Sequence, residues 1–282
     1  MLDAGRLRKL VALLQARAQP PFPCGLTPVR VGDVHVGDSQ AAIAAFVAAN
    51  VKEFFLTEGS LVMADQMRDI KTRSAVFAEA AIRLRDAGLV SGWRDELLAI
   101  GRPPIAVIER AACRALGITT EAVHLNAYVD TSALIVARRA AHKQFDPGKW
   151  DNLVGGMVAA EESCETALAR EAWEEAGVRL DYIELRRGRC FQTCRPVPEG
   201  LQSEIIHVFD ALLPANLQPQ NQDGEVAAIE RRTIAAVVDA IESDEFTLEA
   251  ALVTLESLMR RNGIESPAGL FVDHDASSIH AI

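Results

Sequence analysis

Four charged residues in the second half of the chain have the types and the spacing that a metal site needs: Arg170, Glu171, Glu174 and Glu175. On a helix, residues three or four positions apart lie on one side, so the three glutamates would project together. Like charges at this spacing repel one another unless cations lie among them. Carboxylate oxygens suit Mg²⁺, with Mn²⁺ as a substitute. Glu171, Glu174 and Glu175 therefore predict a metal site that could bring divalent ions to phosphate groups.

The residues around these glutamates predict the helix that positions them. Ser163 is a favoured N-cap residue, and Gly177 is typical of the left-handed residue that ends a helix. The residues between them, 164–176, are mostly good helix formers and give about three and a half turns. Arg170 lies four residues before Glu174 and could hold its carboxylate by a charge-assisted bond. The alternative is an ordinary solvated helix face, because a bare Glu-x-x-Glu-Glu pattern is often no more than that.

A longer pattern of specified residues encloses this helix. It begins at Gly156 and reads Gly-x5-Glu-x7-Arg-Glu-apolar-x-Glu-Glu-x-Gly-apolar, and the sequence fills every specified position. This pattern resembles the signature of the Nudix hydrolases. The resemblance implies an α/β fold, in which a mixed sheet lies within an α/β/α sandwich. It also implies a metal-dependent enzyme that cleaves a diphosphate linked to some other group.

The predicted catalytic residues are Arg170, Glu174 and Glu225. The residues predicted to have structural roles in the motif are Gly155, Gly156, Glu162 and Gly177. The two adjacent glycines would let the backbone come close to metal or phosphate. Glu225 belongs to the tripeptide 223–225, Asp-Gly-Glu, and is our candidate for a distal carboxylate that acts as a base or an extra ligand, with Glu204 in reserve. The same tripeptide is also an ordinary turn before a strand.

Three polar residues at alternating positions, His124, Asn126 and Tyr128, share one face of a predicted strand. They could line a pocket for the leaving group, or form a polar stripe that faces solvent or another domain. Both readings stay open at the level of the sequence.

Other candidates for substrate binding lie close to the signature. Trp150 and Trp93 could stack on a heteroaromatic ring, although tryptophan more often belongs to a core. Arg138, Lys143 and Lys149 could contact phosphate, or could be plain surface charges.

Composition excludes several classes of partner. The chain has 282 residues and a net charge of −10, which argues against nucleic acid or an anionic membrane as the main partner. Residues 1–18 have helical periodicity and lack the apolar core of a secretory signal, so we expect a cytoplasmic protein. The five cysteines are scattered and odd in number, which argues against a disulfide framework. The expected partner is a small-molecule diphosphate, and a homodimer is left open.

The chain divides into two predicted domains. Residues 1–117 predict a smaller α+β domain, and residues 118–282 predict the Nudix hydrolase domain. In the second domain we expect strands at 123–130, 132–138, 180–186, 204–213 and 225–231. We expect helices to follow them at 233–241 and 247–261.

Segments that flank the signature resemble one particular branch of the Nudix hydrolases. Residues 123–129, 146–156 and 223–226 resemble the Nudix domain that precedes the kinase in some fungal thiamine pyrophosphokinases, and its stand-alone bacterial and yeast relatives. That branch carries an extra N-terminal domain, whose landmarks resemble residues 92–96 and 108–112. Ala127 stands where that branch would have glycine. This departure weakens inferences from the resemblance about the surface around His124.

The resemblance implies hydrolysis of thiamine diphosphate, or of oxythiamine and oxothiamine diphosphates, to the monophosphates. Two alternatives stay open. The substrate could be a nucleoside-diphosphate derivative such as ADP-ribose, a nucleotide sugar or a dinucleotide, since the signature handles only phosphates and metal. A non-catalytic Nudix-fold binding protein is disfavoured, because such proteins usually have gaps in the glutamate set and this sequence has none.

Overall fold

The computed structural model describes residues 2–64, 69–143, 145–267 and 269–272. Over these residues the helices are α1 (Ala4–Ala18), α2 (Ala41–Asn50), α3 (Ile70–Asp86), α4 (Arg110–Leu116), α5 (Cys164–Ala176), α6 (Ile234–Glu242) and α7 (Leu248–Arg261). The strands are β1 (Leu26–Val31), β2 (Val34–Gln40), β3 (Phe54–Thr57), β4 (Ser60–Met63), β5 (Leu97–Ile100), β6 (Ala106–Glu109), β7 (Thr119–Tyr128), β8 (Ala133–Arg139), β9 (Trp150–Asn152), β10 (Val154–Met157), β11 (Leu185–Val197), β12 (Gly200–Leu212), β13 (Val226–Thr233) and β14 (Phe271–Val272). None of the described helices combines the length and the apolar character that a membrane span needs.

The elements from β1 to α4 form a smaller α+β unit with its own hydrophobic core. Its main sheet has the order β2-β1-β4-β3, and β5 pairs separately with β6. The rings of Phe54 and Phe77 meet edge to face in this core, with centroids 5.5 Å apart. Residues 27–36 alternate like a single strand, but the structure divides them between β1 and β2, because the chain turns at Gly32 with a φ of 55°.

The larger sheet carries the second half of the chain. Its order is β13-β8-β7-β12-β11-β14, with β10 paired to β7 and β9 paired to β8. Strands β7 and β12 run parallel, whereas β7 and β8 run antiparallel, so the sheet is mixed. Val123 and Leu125 of β7 share a core with α5, while Ala122 and Tyr128 share the opposite core with α1 and α7. The predicted α/β/α sandwich with a mixed sheet, preceded by a smaller α+β domain, is confirmed.

Strand β11 is formed by residues other than those predicted from the sequence. The strand predicted at 180–186 begins only at Leu185, continues to Val197 and pairs antiparallel with β12. The apolar alternation that would reveal this strand is interrupted by four arginines, Arg186, Arg187, Arg189 and Arg195. The bounds of β11 therefore follow from its pairing with β12 and not from the local sequence pattern.

Helix α1 packs with the C-terminal elements although it is the first helix of the chain. Its buried residues Leu7, Val11 and Leu14 lie in one core with α7. The guanidinium of Arg6 also pairs with Asp239 and Glu242 of α6, each at 2.6 Å. The division at 117/118 stays a prediction, and these contacts favour grouping α1 with the second domain.

Helix α4 brings the N-terminal unit against the larger sheet. The helix ends at Gly117 in the left-handed conformation, with φ 61°, and the chain enters β7 two residues later. The α4 backbone also lies close to the start of β12, since a Cβ on Gly200 would lie 2.2 Å from the carbonyl oxygen of Arg114. One face of α4 is thereby held beside β12.

Candidate active site

Helix α5 occupies residues 164–176, the bounds that the sequence predicts. Its N-cap Ser163 accepts a hydrogen bond from the amide of Thr166 at 3.1 Å, and Gly177 ends it in the left-handed conformation, with φ 61°. Ala167 and Ala172 are buried against the sheet. The opposite positions carry the charged residues of the signature, so local sequence and packing together orient them.

Arg170 is the centre of a hydrogen-bond network. Its Nε and Nη2 donate to the two carboxylate oxygens of Glu162 at 2.8 and 2.9 Å. Its Nη1 donates to Glu171 at 2.8 Å and to Glu174 at 3.1 Å, and Nη2 also reaches the carbonyl oxygen of Met157 at 3.1 Å. The hydrogen bonds from Arg170 lower the pKa of Glu162. The predicted contact between Arg170 and Glu174 is present, and the arginine also ties α5 to β10.

Two of the three glutamates, Glu171 and Glu175, are half-buried. Burial raises the pKa of Glu171, opposed by the charge of Arg170. Burial raises the pKa of Glu175 well above its usual value, and the nearby charge of Glu171 adds to this effect. The Glu175 carboxylate accepts one hydrogen bond from the amide of Gly155, at 2.9 Å. A divalent cation would compensate these half-buried like charges, and an all-oxygen donor set fits Mg²⁺ or Mn²⁺.

Strand β10 approaches both walls of this site so closely that only glycine fits. A Cβ on Gly156 would lie 2.0 Å from the Cδ of Glu171. A Cβ on Gly155 would lie 2.8 Å from the His124 ring. The two glycines therefore bring the β10 backbone against a carboxylate of α5, as their predicted structural role requires.

The three signature carboxylates are not gathered around a common point. Glu171 and Glu174 are held by Arg170, and Glu175 is held by the Gly155 amide. Within the described ranges, three ligand atoms lie within 4.8 Å of one another at a different place, beside the start of α5: Glu121, Cys164 and His207. There the carboxylate is already bonded to the imidazole at 2.8 Å and paired with Arg102. Ligation by the signature glutamates thus stays a prediction, in which a cation replaces some of these hydrogen bonds.

A cleft of about 290 Å³ lies between the N-terminal unit and the larger sheet. The N-terminal unit contributes cationic residues to its wall, namely Arg94, Arg110 and Arg114. The sheet side contributes Arg139, Lys143, Glu204 and Glu225. Cations therefore exceed carboxylates among these lining residues although the whole chain carries a net charge of −10. Such a lining suits phosphate groups.

Glu225 lies in this cleft and also lines a small cavity that Glu175 shares. Its carboxylate is paired with Lys143 and lies 3.5 Å from the Arg94 guanidinium. Burial alone would raise the pKa of Glu225, but these two cations lower it below its usual value. A carboxylate with a lowered pKa is a weaker base, so this geometry favours a role in holding Lys143 and Arg94.

The polar stripe on β7 is buried and lines neither the cleft nor the small cavity beside it. The Nδ1 of His124 lies 3.0 Å from Asn152, and the Asn126 amide donates to Asp210 at 3.0 Å. The Tyr128 hydroxyl lies 2.7 Å from Ser257 of α7. All three stripe residues are buried. The structure thus places Asn126 and Tyr128 in a hydrogen-bond network beneath α7 instead of in a pocket, while His124 borders the site through Gly155.

Tyr128→Phe tests this placement. The change removes one hydroxyl from the network and leaves Ser257 bonded to Asp210 at 2.8 Å. We expect a loss of about 1 kcal/mol in the free energy of unfolding, the usual contribution of one hydrogen bond, and no change in kcat/KM. Urea unfolding and steady-state kinetics measure the two quantities. A tenfold fall in kcat/KM at unchanged stability would return Tyr128 to the substrate pocket.

The other predicted substrate-binding residues make contacts with groups of the protein itself. Arg138 donates to the carbonyl oxygen of Gly148 at 3.0 Å, and Lys149 pairs with Asp244 at 3.2 Å. Trp150 is 5% exposed and belongs to the core beneath α7. None of these three side chains is among the lining residues of the cleft.

Sequence reasoning missed several residues of the cleft. Arg139 lines it and Arg138 does not, because adjacent strand residues point to opposite faces. Arg94 and Arg110 fall within the N-terminal landmark segments, yet nothing in those segments indicates a role. Arg114 carries no local signal at all. The packing of α4 beside β12 brings Arg110 and Arg114 to the cleft.

Comparison with known proteins follows the same division of the chain. The family model "NUDIX domain" matches residues 120–253, and the family model "Domain of unknown function (DUF4743)" matches residues 24–120. Chloroplastic Nudix hydrolase 20 of Arabidopsis thaliana is 26% identical over 236 residues, which cover 77% of this chain and 60% of that protein. The uncharacterized Nudix hydrolase PA4841 of Pseudomonas aeruginosa is 30% identical over 173 residues, which cover 58% of this chain and 96% of that protein.

Among solved structures, DR0079 of Deinococcus radiodurans is similar, with 24% identity and a TM-score of 0.45. The match covers 59% of this chain and 97% of that one. The chain spans about three-fifths of the length of the first curated relatives that it matches, between 56% and 60%.

Proposed function

The chain belongs to the Nudix hydrolase family, and from this premise we propose that it is a divalent-metal-dependent hydrolase of a diphosphate joined to another group. The observation that supports this best is the packing of β10 against α5. Because Gly156 has no side chain, the Glu171 carboxylate fits against the β10 backbone. Glu175 lines a small cavity together with Arg139 and Lys143, and both of these cationic residues also line the larger cleft. A site with this composition can bind metal ions and phosphate oxygens together.

Several residues of the chain have proposed parts in the reaction. Bound Mg²⁺ would neutralise phosphate charge and lower the pKa of a water molecule that attacks phosphorus. Glu171, Glu174 and Glu175 would hold the metal, and Arg170 would orient the first two of them. Lys143 would contact the phosphates from the sheet side. Because such reactions depend mainly on positioning and charge neutralisation, these roles suffice without a strong base in the protein.

We propose thiamine-type diphosphates as the substrate class, in particular thiamine, oxythiamine and oxothiamine diphosphates. The support is the resemblance of residues 123–129, 146–156 and 223–226 to the Nudix domains associated with thiamine pyrophosphokinases. Nucleoside-diphosphate derivatives are the competing class, because the signature itself recognises only metal and phosphate.

Phosphate and monophosphate release from a substrate panel tests this choice. The panel contains thiamine, oxythiamine and oxothiamine diphosphates beside ADP-ribose and diadenosine polyphosphates, all with Mg²⁺. We expect the highest kcat/KM with the oxidised thiamine diphosphates. A preference for the nucleotides would keep the hydrolase function and remove the thiamine proposal.

Removal of divalent metal should abolish hydrolysis. We expect activity to fall to background with a chelator and to return on addition of Mg²⁺ or Mn²⁺, since water and phosphate are not activated without the ion. Thermal unfolding gives a second readout. Because a cation relieves repulsion between Glu171 and Glu175, added Mg²⁺ should raise Tm, and it should do so less in Glu175→Gln. Full activity after exhaustive chelation would contradict the metal assignment.

A further inference from the structure

We infer that Glu204 binds the leaving group of the substrate and selects diphosphates whose organic group carries a nitrogen-bound hydrogen-bond donor or a positive charge. This inference rests on the proposed hydrolase function and names a substrate feature of the same cleft.

Glu204 carries a carboxylate on the wall of the cleft to which no described residue donates a hydrogen bond. Its residue lies on β12, is 9% exposed and lines the cleft between the two domains. Among the described residues, none donates a hydrogen bond to its side chain, in contrast to Glu249, which receives one from Arg195 at 3.1 Å. The Glu204 oxygens are not among the fully buried polar atoms, so water in the cleft solvates them in the free protein. A ligand that displaces this water must supply a hydrogen-bond donor in its place.

The position of Glu204 separates it from the proposed metal site. The strongest charges acting on it come from Glu249, His124, Arg114 and Arg110, and none of these belongs to α5. Arg110 interacts electrostatically with both Glu204 and Glu171. This arginine of the N-terminal unit also lines the same cleft as Glu204. A diphosphate bound between α5 and Arg110 would have its organic group in the cleft that Glu204 lines.

Another part of the cleft wall suits a flat ring. The Arg114 guanidinium lies over the Phe145 ring at 4.0 Å from its centroid, and both residues line the cleft. A planar guanidinium supported by an aromatic ring offers a surface for stacking. The Oε2 of Glu199, which also lines the cleft, is buried without a hydrogen-bond partner. Together these groups fit a heteroaromatic leaving group with amino or ring N–H donors.

Two substitutions test the inference. Glu204→Gln removes the charge and keeps an acceptor oxygen, whereas Glu204→Leu removes both. Kinetics would compare the best amine-bearing substrate of the panel with methyl diphosphate, which has no nitrogen. We expect kcat/KM for the amine-bearing substrate to fall about 10- to 100-fold in Glu204→Leu, the range of a charged hydrogen bond, with most of the change in KM. Methyl diphosphate should change less than about twofold, because its phosphates bind elsewhere.

Stability and product binding separate this role from a structural one. Because no described residue donates a hydrogen bond to the carboxylate, both Glu204 variants should melt close to the wild-type Tm. Glu256→Gln is the matched control, since it removes a buried carboxylate that is paired with Arg189 and Arg260 and does not line the cleft. It should lower Tm and leave the ratio of the two kcat/KM values unchanged.

Calorimetric titration with thiamine monophosphate, AMP and inorganic diphosphate reads binding without turnover. We expect Glu204→Leu to weaken only the nitrogen-bearing ligands. An equal loss for inorganic diphosphate, or a lowered Tm with unchanged discrimination, would overturn the role of Glu204. Absence of hydrolysis in the wild type would instead contradict the hydrolase function, and the titration would still decide the inference.

Discussion

Glu175→Gln is expected to lower the kcat of diphosphate hydrolysis by on the order of 10³-fold while the protein stays folded. Glu175 is half-buried, and its carboxylate accepts a hydrogen bond from the Gly155 amide at 2.9 Å. A glutamine can accept that same hydrogen bond, so the packing of α5 against β10 should persist. It cannot supply a negative charge, and a site that must hold a divalent cation loses a ligand. Steady-state kinetics over a range of Mg²⁺ concentrations measure the change.

The same helix offers a control for this prediction. Glu165 lies in the first turn of α5 and is 3.5 Å from Arg187, away from the β10 contact. Glu165→Gln makes the same chemical change and should leave kcat within about twofold, because a surface ion pair contributes little. Glu174→Gln should behave like Glu175→Gln if both carboxylates bind metal. Wild-type activity in both variants would remove the metal site from α5.

Gly156→Ala is expected to lower kcat/KM by about 10²-fold, the effect of a displacement of about 1 Å in a site of this kind. The added Cβ would lie 2.0 Å from the Cδ and 2.1 Å from the Oε1 of Glu171. Either the carboxylate must leave its position beside Arg170, or β10 must move away from α5. Both movements change the distances among the groups that would bind metal. Kinetics and a Mg²⁺ titration followed by thermal unfolding would measure the loss.

An alanine at a remote glycine controls for general effects of the substitution. Gly148 has a φ of 76°, and a Cβ there would meet nothing within 4 Å. Gly148→Ala should therefore lower stability through backbone strain and leave the affinity for Mg²⁺ unchanged. If Gly156→Ala binds Mg²⁺ and turns over like the wild type, the close approach of β10 has no functional role.

Local patterns in the sequence were sufficient for much of this protein. The bounds of α5, its caps at Ser163 and Gly177 and the link from Arg170 to Glu174 follow from interactions within a few residues. Helical periodicity likewise predicts α7 to within one residue, 247–261 against Leu248–Arg261. Such features are predictable because the groups that stabilise them are neighbours along the chain.

Elements that depend on partners distant in sequence were predicted less well. Strand β11 has an irregular pattern, and its position follows from pairing with β12. The stripe of His124, Asn126 and Tyr128 was correctly placed on one strand face, but the sequence does not show that α7 covers that face. The sequence left open a substrate pocket and a stripe facing solvent or another domain, and the structure has a buried network at this face.

The chemistry of the signature was determined by the sequence alone, since one helix and one adjacent strand carry its residues. The cleft in which that chemistry would act was decided by the tertiary structure. Arg110 and Arg114 reach it from the N-terminal unit, and Glu204 reaches it from β12, nearly a hundred residues further along the chain. The physical reason is that charge and burial at the cleft arise from packing between α4 and the sheet, and the spacing of residues along the chain does not record such contacts.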